Sequence, residues 1–125
     1  MINIHTPLRE LSFEYLASGK HCVNGTEFLG LIASKEALFL DVRTDKEQNY
    51  SVYPWATHIP IHALPERINE LPKDKLIVPF CSSVFRASIT WAWLKSKGFE
   101  NVRTLTLSTE EIATLIKPTP LFNQG

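Results

Sequence analysis

The chain has 125 residues, of which 44% are hydrophobic, and this suits one domain whose core needs neither disulfides nor metals. Thirteen basic and thirteen acidic side chains cancel, which excludes the strong positive field of a nucleic-acid-binding protein. No apolar stretch approaches the ~20 residues that span a bilayer, and the N-terminus lacks the pattern of a secretory signal. We therefore expect a cytoplasmic protein that binds neither nucleic acid nor membranes.

The two cysteines, Cys22 and Cys81, are too few for a disulfide scaffold and have no Cys/His spacing typical of zinc. His21 precedes Cys22, but a single His-Cys pair is a poor metal site without further ligands. We interpret Cys22 as an ordinary, partly buried thiol and predict no metal site.

The first half of the chain predicts helices separated by a buried strand. One helix should begin at Thr6-Pro7 and end at Gly19, because a hydroxyl cap precedes a proline and the glycine can terminate the helix. A second helix should begin at Thr26, an apolar strand should end at Asp41, and Pro65 should open a short helix. The buried sides of these helices are expected at Leu8, Leu11, Tyr15, Leu16, Phe28, Leu31, Ile32, Ile68 and Leu71.

The second half predicts a strand over residues 76–80, with Pro79 at its end because proline donates no ladder hydrogen bond. A helix over 86–97 should end at Gly98, followed by a strand over 102–107 and a helix opened by a capping box at Ser108. The apolar side of the helix over 86–97 is expected at Ile89, Trp91, Trp93 and Leu94. Strands that alternate with helices predict an α/β domain with a mostly parallel sheet.

Cys81 directly follows the strand over 76–80 and precedes a helix, and ligands of parallel sheets bind at this end of the strands. The positive end of the helix dipole and a nest of loop N–H groups would favour a thiolate. Arg86 adds a cation for an anionic substrate, and the small Ser82 and Ser83 leave the approach open. A core cysteine is the alternative, but the serines and the arginine favour chemistry.

Residues 81–88, with the sequence CSSVFRAS, resemble the active-site loop of rhodanese-like sulfurtransferases, a cysteine followed by four residues and an arginine or threonine. Three further segments match this family in order. The first is an apolar strand that ends in Asp-Val-Arg, at residues 38–43, and the second is His-Ile-Pro at residues 58–60. The third, at residues 94–102, is the end of a helix followed by Gly-Phe and, three residues later, by Val. The resemblance extends from about Val23 to Leu107.

The resemblance implies a three-layer α/β domain with a mostly parallel central sheet of about five short strands, flanked by helices. The domain would occupy residues 23–117, with a helical extension at 1–22 and a tail at 118–125. No metal or organic cofactor is required in this family.

The resemblance also implies a function, sulfur transfer, in which Cys81 forms a persulfide. The sulfur would come from a small anionic donor such as thiosulfate or from a protein persulfide, and would pass to a thiol or a cyanide-like acceptor. The residues expected to bind the substrate are Ser82, Ser83, Val84, Phe85 and Arg86.

The sequence departs from the family at Val84, where many active members have glycine, and a valine is strongly disfavoured if the position needs a positive φ. Thr57 and Ile61 replace glycines that commonly flank His-Ile-Pro, and the glycine pair often seen after the last strand is absent. These departures leave open a non-catalytic interaction or regulatory module with the same fold. Phosphatases of related fold are a second alternative, but they have five residues between cysteine and arginine, and this chain has four.

Extra residues within 48–56 carry Tyr50, Tyr53 and Trp55. Aromatic side chains in an insertion are more often packed locally than exposed for docking. We nevertheless state the hypothesis that the Tyr50–Trp55 loop borders the active site and contacts a protein partner.

Asp41, Arg43 and His58 are residue types that can do acid–base chemistry. Their positions, at a strand end and before Ile-Pro in a turn, instead favour hydrogen-bonding roles that hold loops together. We assign these three residues no catalytic role.

Overall fold

The computed structural model describes residues 3–116, so the tail predicted at 118–125 lies outside the described residues. Short 3-10 turns at Ile61–Ala63 and Ile68–Glu70 flank the helix that follows Ala63. In chain order the other elements are α1 (His5–Glu10), α2 (Phe13–Ser18), β1 (Cys22–Val23), α3 (Gly25–Ser34), β2 (Ala37–Asp41), α4 (Asp45–Gln48), β3 (Ala56–His58), α5 (Leu64–Arg67), β4 (Leu76–Phe80), α6 (Phe85–Ser96), β5 (Thr104–Leu105) and α7 (Thr109–Ile116).

All strand pairs among the described residues are parallel. Three strands lie in the order β3-β2-β4, and β1 pairs with β5. A single bridge between Ile77 and Val102 joins β4 to the segment before β5. The mostly parallel sheet of about five short strands is therefore confirmed, and the strand predicted at 102–107 is reduced to this bridge and the two residues of β5.

Pro79 lies within β4, opposite Leu40 of β2, and not at the strand end as predicted. Ile77, two residues before Pro79, shows how the sheet accommodates this proline. The Ile77 N–H donates to the Asn101 carbonyl oxygen at 2.9 Å, so it points toward the β5 side of the strand. The nitrogen of Pro79 points the same way, because the direction of the backbone groups alternates from one residue to the next along a strand. The missing N–H of Pro79 thus points to the side where β5 pairing has ended.

The core consists of two clusters on opposite faces of the sheet. Leu40 and Ile77 pack with α5 and α6 residues such as Leu64 and Leu94. Adjacent strand residues point the other way, as side chains alternate along a strand, and pack with α3 and α7. That second cluster includes Val23, Phe28, Phe39, Val78, Phe80, Leu105 and Ile112. Helices thus cover both faces, as a three-layer α/β domain requires.

The single helix predicted from Thr6 to Gly19 is two helices, α1 and α2. Ser12 lies between them in extended conformation and its side chain accepts a hydrogen bond from the Tyr15 N–H, which caps a new helix where the predicted one would continue. Leu8 and Leu11 are 59% and 40% exposed, so the predicted apolar stripe does not form. The buried residue of α1 is Pro7.

The buried face of α6 is also displaced from the prediction. Ile89 was expected on the apolar side but is 48% exposed, whereas Ala87, Thr90 and Lys95 are buried with Trp91 and Leu94. These buried positions recur at intervals of three and four residues. The Lys95 ammonium is accommodated because it donates to the Glu100 carbonyl oxygen at 2.7 Å and to Glu10 at 3.2 Å.

Candidate active site at the end of strand β4

Cys81 is the first residue after β4 and its side chain is completely buried. The register pairs Asp41 with Phe80 in β4 and with His58 in β3, so three strands end beside Cys81. Its thiol donates to the Ser83 carbonyl oxygen, with Sγ and O 2.7 Å apart. The sulfur therefore has a carbonyl oxygen as its hydrogen-bond partner, and the predicted nest of N–H groups around it stays a prediction.

Val84 does not need the glycine-like conformation that its position suggested. Its φ is −103° and its ψ is −5°, and the only residue other than glycine with positive φ in residues 3–116 is Lys35. The Val84 carbonyl oxygen accepts the first helical hydrogen bond of α6, from the Ser88 N–H at 2.9 Å. Valine is therefore unstrained here, and the departure at this position gives no steric argument against an active loop.

Arg86, in the first turn of α6, binds Glu47 in a bidentate ion pair. The distances are 2.6 Å from Nη1 to Oε1 and 2.9 Å from Nη2 to Oε2. The same Glu47 side chain accepts hydrogen bonds from the backbone N–H and the hydroxyl of Thr44, both at 3.0 Å, in the capping box of α4. Glu47 is therefore fixed by α4 while it holds the arginine.

Hydrogen bonds from Arg86 lower the pKa of Glu47 to about 2, against the opposing effect of burial. In return, the hydrogen bonds to Glu47 raise the pKa of Arg86 above its ordinary value, and the Cys81 side chain contributes in the same direction. Both partners are charged at every working pH, and their charges cancel.

The loop after Cys81 is tied to its surroundings through Ser82. Its hydroxyl accepts from Arg86 Nη2 at 3.0 Å, and its carbonyl oxygen accepts from the Thr109 N–H of α7 at 3.3 Å. Ser83, Val84 and Phe85, in contrast, are exposed. The predicted site residues thus lie together in one loop. Hydrogen bonds hold this loop at Ser82, and its next three side chains are open to solvent.

Asp41 and Arg43 form a buried ion pair with structural contacts, as the sequence predicted. Arg43 donates to Asp41 at 3.0 Å and 2.8 Å and to the Ser51 carbonyl oxygen at 2.7 Å. Although burial acts to lower the pKa of Arg43, these hydrogen bonds to Asp41 and its charge raise the pKa overall. His58 Nε2 lies 2.8 Å from the Arg43 carbonyl oxygen, which confirms its hydrogen-bonding role.

The Tyr50–Trp55 loop divides into buried and exposed side chains. Tyr53 is 9% exposed, and Trp55 stacks on Phe80 at 5.2 Å, so these two rings belong to the core. Tyr50 and Val52 are 85% and 65% exposed. Local packing thus accounts for two of the three predicted aromatics, and a role of this loop in partner binding stays a prediction.

Glu47 is the site residue that the sequence reasoning missed. Its signal was the capping-box pattern Thr44-x-x-Glu47, which predicts a helix start but not a partner 39 residues away.

Within residues 3–116, no three His, Cys, Asp or Glu side chains are grouped as a metal site would need. That same part of the chain has no helix of sufficient length and apolar character to cross a membrane.

The profile described as the Rhodanese-like domain matches residues 24–114. The chain belongs to the rhodanese-like domain family. The family prediction made from the Cys81 loop and its three companion segments is therefore confirmed, and the match begins just before α3.

Relatives of this rhodanese-like domain include sulfurtransferases. A sulfurtransferase of Allochromatium vinosum is 33% identical over 75 residues, which cover 60% of this chain and 70% of that protein. The solved NAD-dependent persulfide reductase of A. fulgidus is 33% identical, with a TM-score of 0.57 over 74% of this chain and 16% of that one. The human single-domain sulfurtransferase TSTD1 shares the fold, with a TM-score of 0.62, 24% identity and coverage of 79% and 98%.

Proposed function

We propose that this rhodanese-like domain is a sulfurtransferase that moves sulfane sulfur from thiosulfate or a persulfide donor to a thiophilic acceptor. The carrier is a persulfide on Cys81, and residues 82–86 bind the substrate. The observation that supports this most is the position of Cys81, which follows β4 at its carboxyl end and precedes the N-terminus of α6 by a short loop. A thiolate gains there from the positive end of the α6 dipole.

The transfer has two balanced halves. In the first, the Cys81 thiolate attacks the outer sulfur of thiosulfate, a new S–S bond forms, the donor S–S bond breaks, and sulfite leaves with the electron pair. In the second, a thiolate or cyanide attacks the outer sulfur of the Cys81 persulfide, and the cysteine thiolate leaves. No net oxidation occurs, and each half passes one sulfur atom.

The buried thiol must become accessible for the first half. The Cys81 thiol donates to the Ser83 carbonyl oxygen at 2.7 Å, a contact that turns repulsive once the sulfur is an anion. Ionisation therefore favours rotation of the exposed Ser83 segment away from the sulfur. That rotation opens Sγ to the donor and lets loop N–H groups turn toward the charge.

The proposal is tested by the mass of the intact protein after incubation with thiosulfate or an organic persulfide. The expected result is a gain of ~32 Da, one sulfur atom in a covalent intermediate, with proteolytic mapping that places it on the peptide containing Cys81 and not on that containing Cys22. Cys81→Ser should take up no sulfur while its circular dichroism matches the parent chain. If no donor adds sulfur to Cys81, the sulfurtransferase is rejected in favour of a non-catalytic interaction module.

The phosphatase alternative makes a different prediction. Four residues separate Cys81 from Arg86, and a phosphoryl group needs a wider loop than a single sulfur atom does. We expect no hydrolysis of an aryl phosphate above that of Cys81→Ser. Hydrolysis that depends on Cys81 without any sulfur uptake would support the phosphatase.

A further inference from the structure

We propose that the cavity between α1 and α6 is a binding site for a neutral, mostly apolar small molecule that carries a hydroxyl group. This site is separate from Cys81, and the proposal does not depend on the sulfurtransferase function. The size of the cavity, the uncharged side chains of its described lining and two unpartnered polar groups support it.

The cavity has a volume of about 350 Å³, and small-molecule sites commonly have ≈ 300–1,000 Å³. Its walls are largely apolar, since α1 contributes Pro7, Leu8 and Leu11, and α6 contributes Trp91 and Ala92. A cavity of this size can hold a bicyclic aromatic molecule. Apolar walls favour such a ligand because its surface leaves water on binding.

One side of the cavity is formed by neighbouring residues of β1 and β5. Cys22 and Thr104 are register partners in this parallel pair, so their side chains lie side by side on one face of the sheet. The next residues, Val23 and Leu105, point to the opposite face and belong to the core cluster with α3 and α7. Strand alternation therefore directs Cys22 and Thr104 toward the cavity, and both line it.

The hydroxyl of Thr104 is the first unpartnered polar group of the cavity. Thr104 is 8% exposed, and its hydroxyl has no hydrogen-bond partner among residues 3–116. The Thr106 hydroxyl, two residues further along the chain, differs because it donates to the Val23 carbonyl oxygen at 3.1 Å. Buried hydroxyl groups are normally hydrogen-bonded, so the Thr104 hydroxyl is free to bind a ligand.

His21 supplies the second polar group. It also lines the cavity, and its Nδ1 is buried without a hydrogen-bond partner in the described part of the chain. The two residues are adjacent, because the Thr104 N–H donates to the His21 carbonyl oxygen at 2.9 Å. A neutral histidine ring nitrogen donates or accepts according to its tautomer, and a ligand hydroxyl can do both.

The lining also determines the charge of the ligand. No Lys, Arg, Asp or Glu among the described residues lines this cavity. A charged ligand would lose its hydration there without gaining an ion-pair partner, which is costly. Water alone is a poorer occupant than an organic molecule, because buried water needs about two to four polar partners and the walls formed by Leu8, Leu11 and Trp91 are apolar.

The cavity is built from two parts of the chain. Its α1 residues, His21 and Cys22 precede the residues 24–114 that match the rhodanese-like family, whereas α6 and β5 lie within them. The site therefore depends on the N-terminal segment of this chain as well as on the matched domain.

The experiment measures the Kd of 2-naphthol, 2-methylnaphthalene and 2-naphthoate for the full chain by equilibrium dialysis. The probes share one ring system and differ in whether it carries a hydroxyl, a methyl or a carboxylate group. Measurement at about pH 8 keeps an ordinary histidine neutral and a phenol protonated. We expect 2-naphthol to bind most tightly, 2-methylnaphthalene on the order of fivefold more weakly for lack of hydrogen bonds, and the anion on the order of tenfold or more weakly.

Cys22 reports where the probe binds. Its side chain lines the cavity and is half-buried, so a bound ligand should shield it from N-ethylmaleimide. At a 2-naphthol concentration of about ten times its Kd, roughly one protein in eleven is free, and the alkylation rate of the Cys22 peptide should fall about tenfold. An unchanged rate while 2-naphthol is bound would place the probe elsewhere and overturn the inference.

Two variants test the walls. Ala92→Leu fills the cavity from α6 and Leu8→Ala removes part of its wall, and each should weaken 2-naphthol binding on the order of fivefold. The matched control is Ala113→Leu, on the exposed side of α7, which should leave the Kd unchanged. Leu8 is 59% exposed, so its variant tests the cavity even if Ala92→Leu fails to fold.

Thr104→Val tests the hydrogen bond. It removes the hydroxyl and keeps the shape of the side chain, so it should weaken 2-naphthol binding on the order of fivefold without weakening that of 2-methylnaphthalene. Thr57→Val, at an exposed position of β3, is the matched control and should change neither Kd.

Failure of 2-naphthol to bind, equal Kd values for the three probes, or Kd values that no cavity variant changes would overturn this inference. A protein that sediments as a dimer, and loses the dimer in Ala92→Leu, would also overturn it, because a second copy would then occupy the cavity. Sulfur transfer is measured separately at Cys81, so it stands or fails independently of these results.

Discussion

At the scale of single residues, the chemistry of the site depends on how each charge is neutralised. Arg86 is the cation that the sequence predicted for an anionic substrate, but Glu47 already neutralises it at 2.6 Å. The buried Arg43 has its own carboxylate in Asp41 at 2.8 Å. The cysteine and arginine could be predicted from the loop sequence, whereas Glu47 could not, because its partner lies in another element.

Glu47 should make stability depend on pH in the acid range. The pKa of Glu47 is about 2 in the folded protein, against 4.5 for the ordinary group. Between these values the folded protein binds fewer protons at Glu47 than the unfolded chain does. The stabilisation is therefore present above about pH 4.5 and is lost as the pH falls toward 2. We expect Glu47→Gln to lose less stability than the parent chain between pH 6 and pH 3. Urea midpoints at several pH values measure this.

The matched variant for this measurement is Glu70→Gln. Its ion pair with Arg67 is solvent-exposed, where screening weakens ion pairs, so its acid profile should follow that of the parent chain more closely. An acid profile of Glu47→Gln identical to that of the parent chain would contradict the account of the Glu47–Arg86 pair.

At the scale of elements, caps and backbone conformation explain where the sequence predictions succeed and fail. The apolar run 37–41 and the strand before Cys81 were predicted because continuous apolar residues suit doubly covered strands. The interruption between α1 and α2 at Ser12 could not be predicted, because a serine within a helical pattern can either continue the helix or cap a new one. Two-residue strands such as β1 have too few residues for any periodicity, and tertiary pairing determines them.

The left-handed conformation of Lys35 at the C-terminus of α3 gives a test at this scale. Its φ is +60°, which is unfavourable for a residue with a Cβ and free of strain for glycine. We expect Lys35→Gly to stabilise the protein by about 0.5–1 kcal/mol, measured from the urea midpoint. Lys97→Gly at the end of α6, where φ is −94°, should instead destabilise. A loss of stability with Lys35→Gly would contradict the assignment.

At the scale of the whole molecule, the layered parallel fold was predictable because strands and helices alternate along the chain. The role of the N-terminal segment could not be predicted in the same way. The family resemblance separates residues 1–22 from the domain as an extension, and this boundary stays a prediction. However, Pro7 is buried, Arg103 donates to the Cys22 carbonyl oxygen at 3.0 Å, and Glu10 binds the buried Lys95.

Removal of residues 1–18 tests whether this segment is part of the cooperative unit. The deletion leaves β1 in place but uncovers the α6 surface beneath α1 and removes the partner of Lys95. We expect the free energy of unfolding to fall by about 1–3 kcal/mol. An unchanged urea midpoint would show that the segment is energetically independent of the domain.

The most direct test of the central claim is one complete sulfur transfer. The protein is loaded with sulfur, separated from the donor and then mixed with cyanide, and thiocyanate and protein mass are measured together. If Cys81 is the carrier, about one thiocyanate forms per loaded protein as the ~32 Da gain disappears, and Cys81→Ser gives none. Thiocyanate formation by Cys81→Ser, or a loaded protein that keeps its sulfur, would contradict the account.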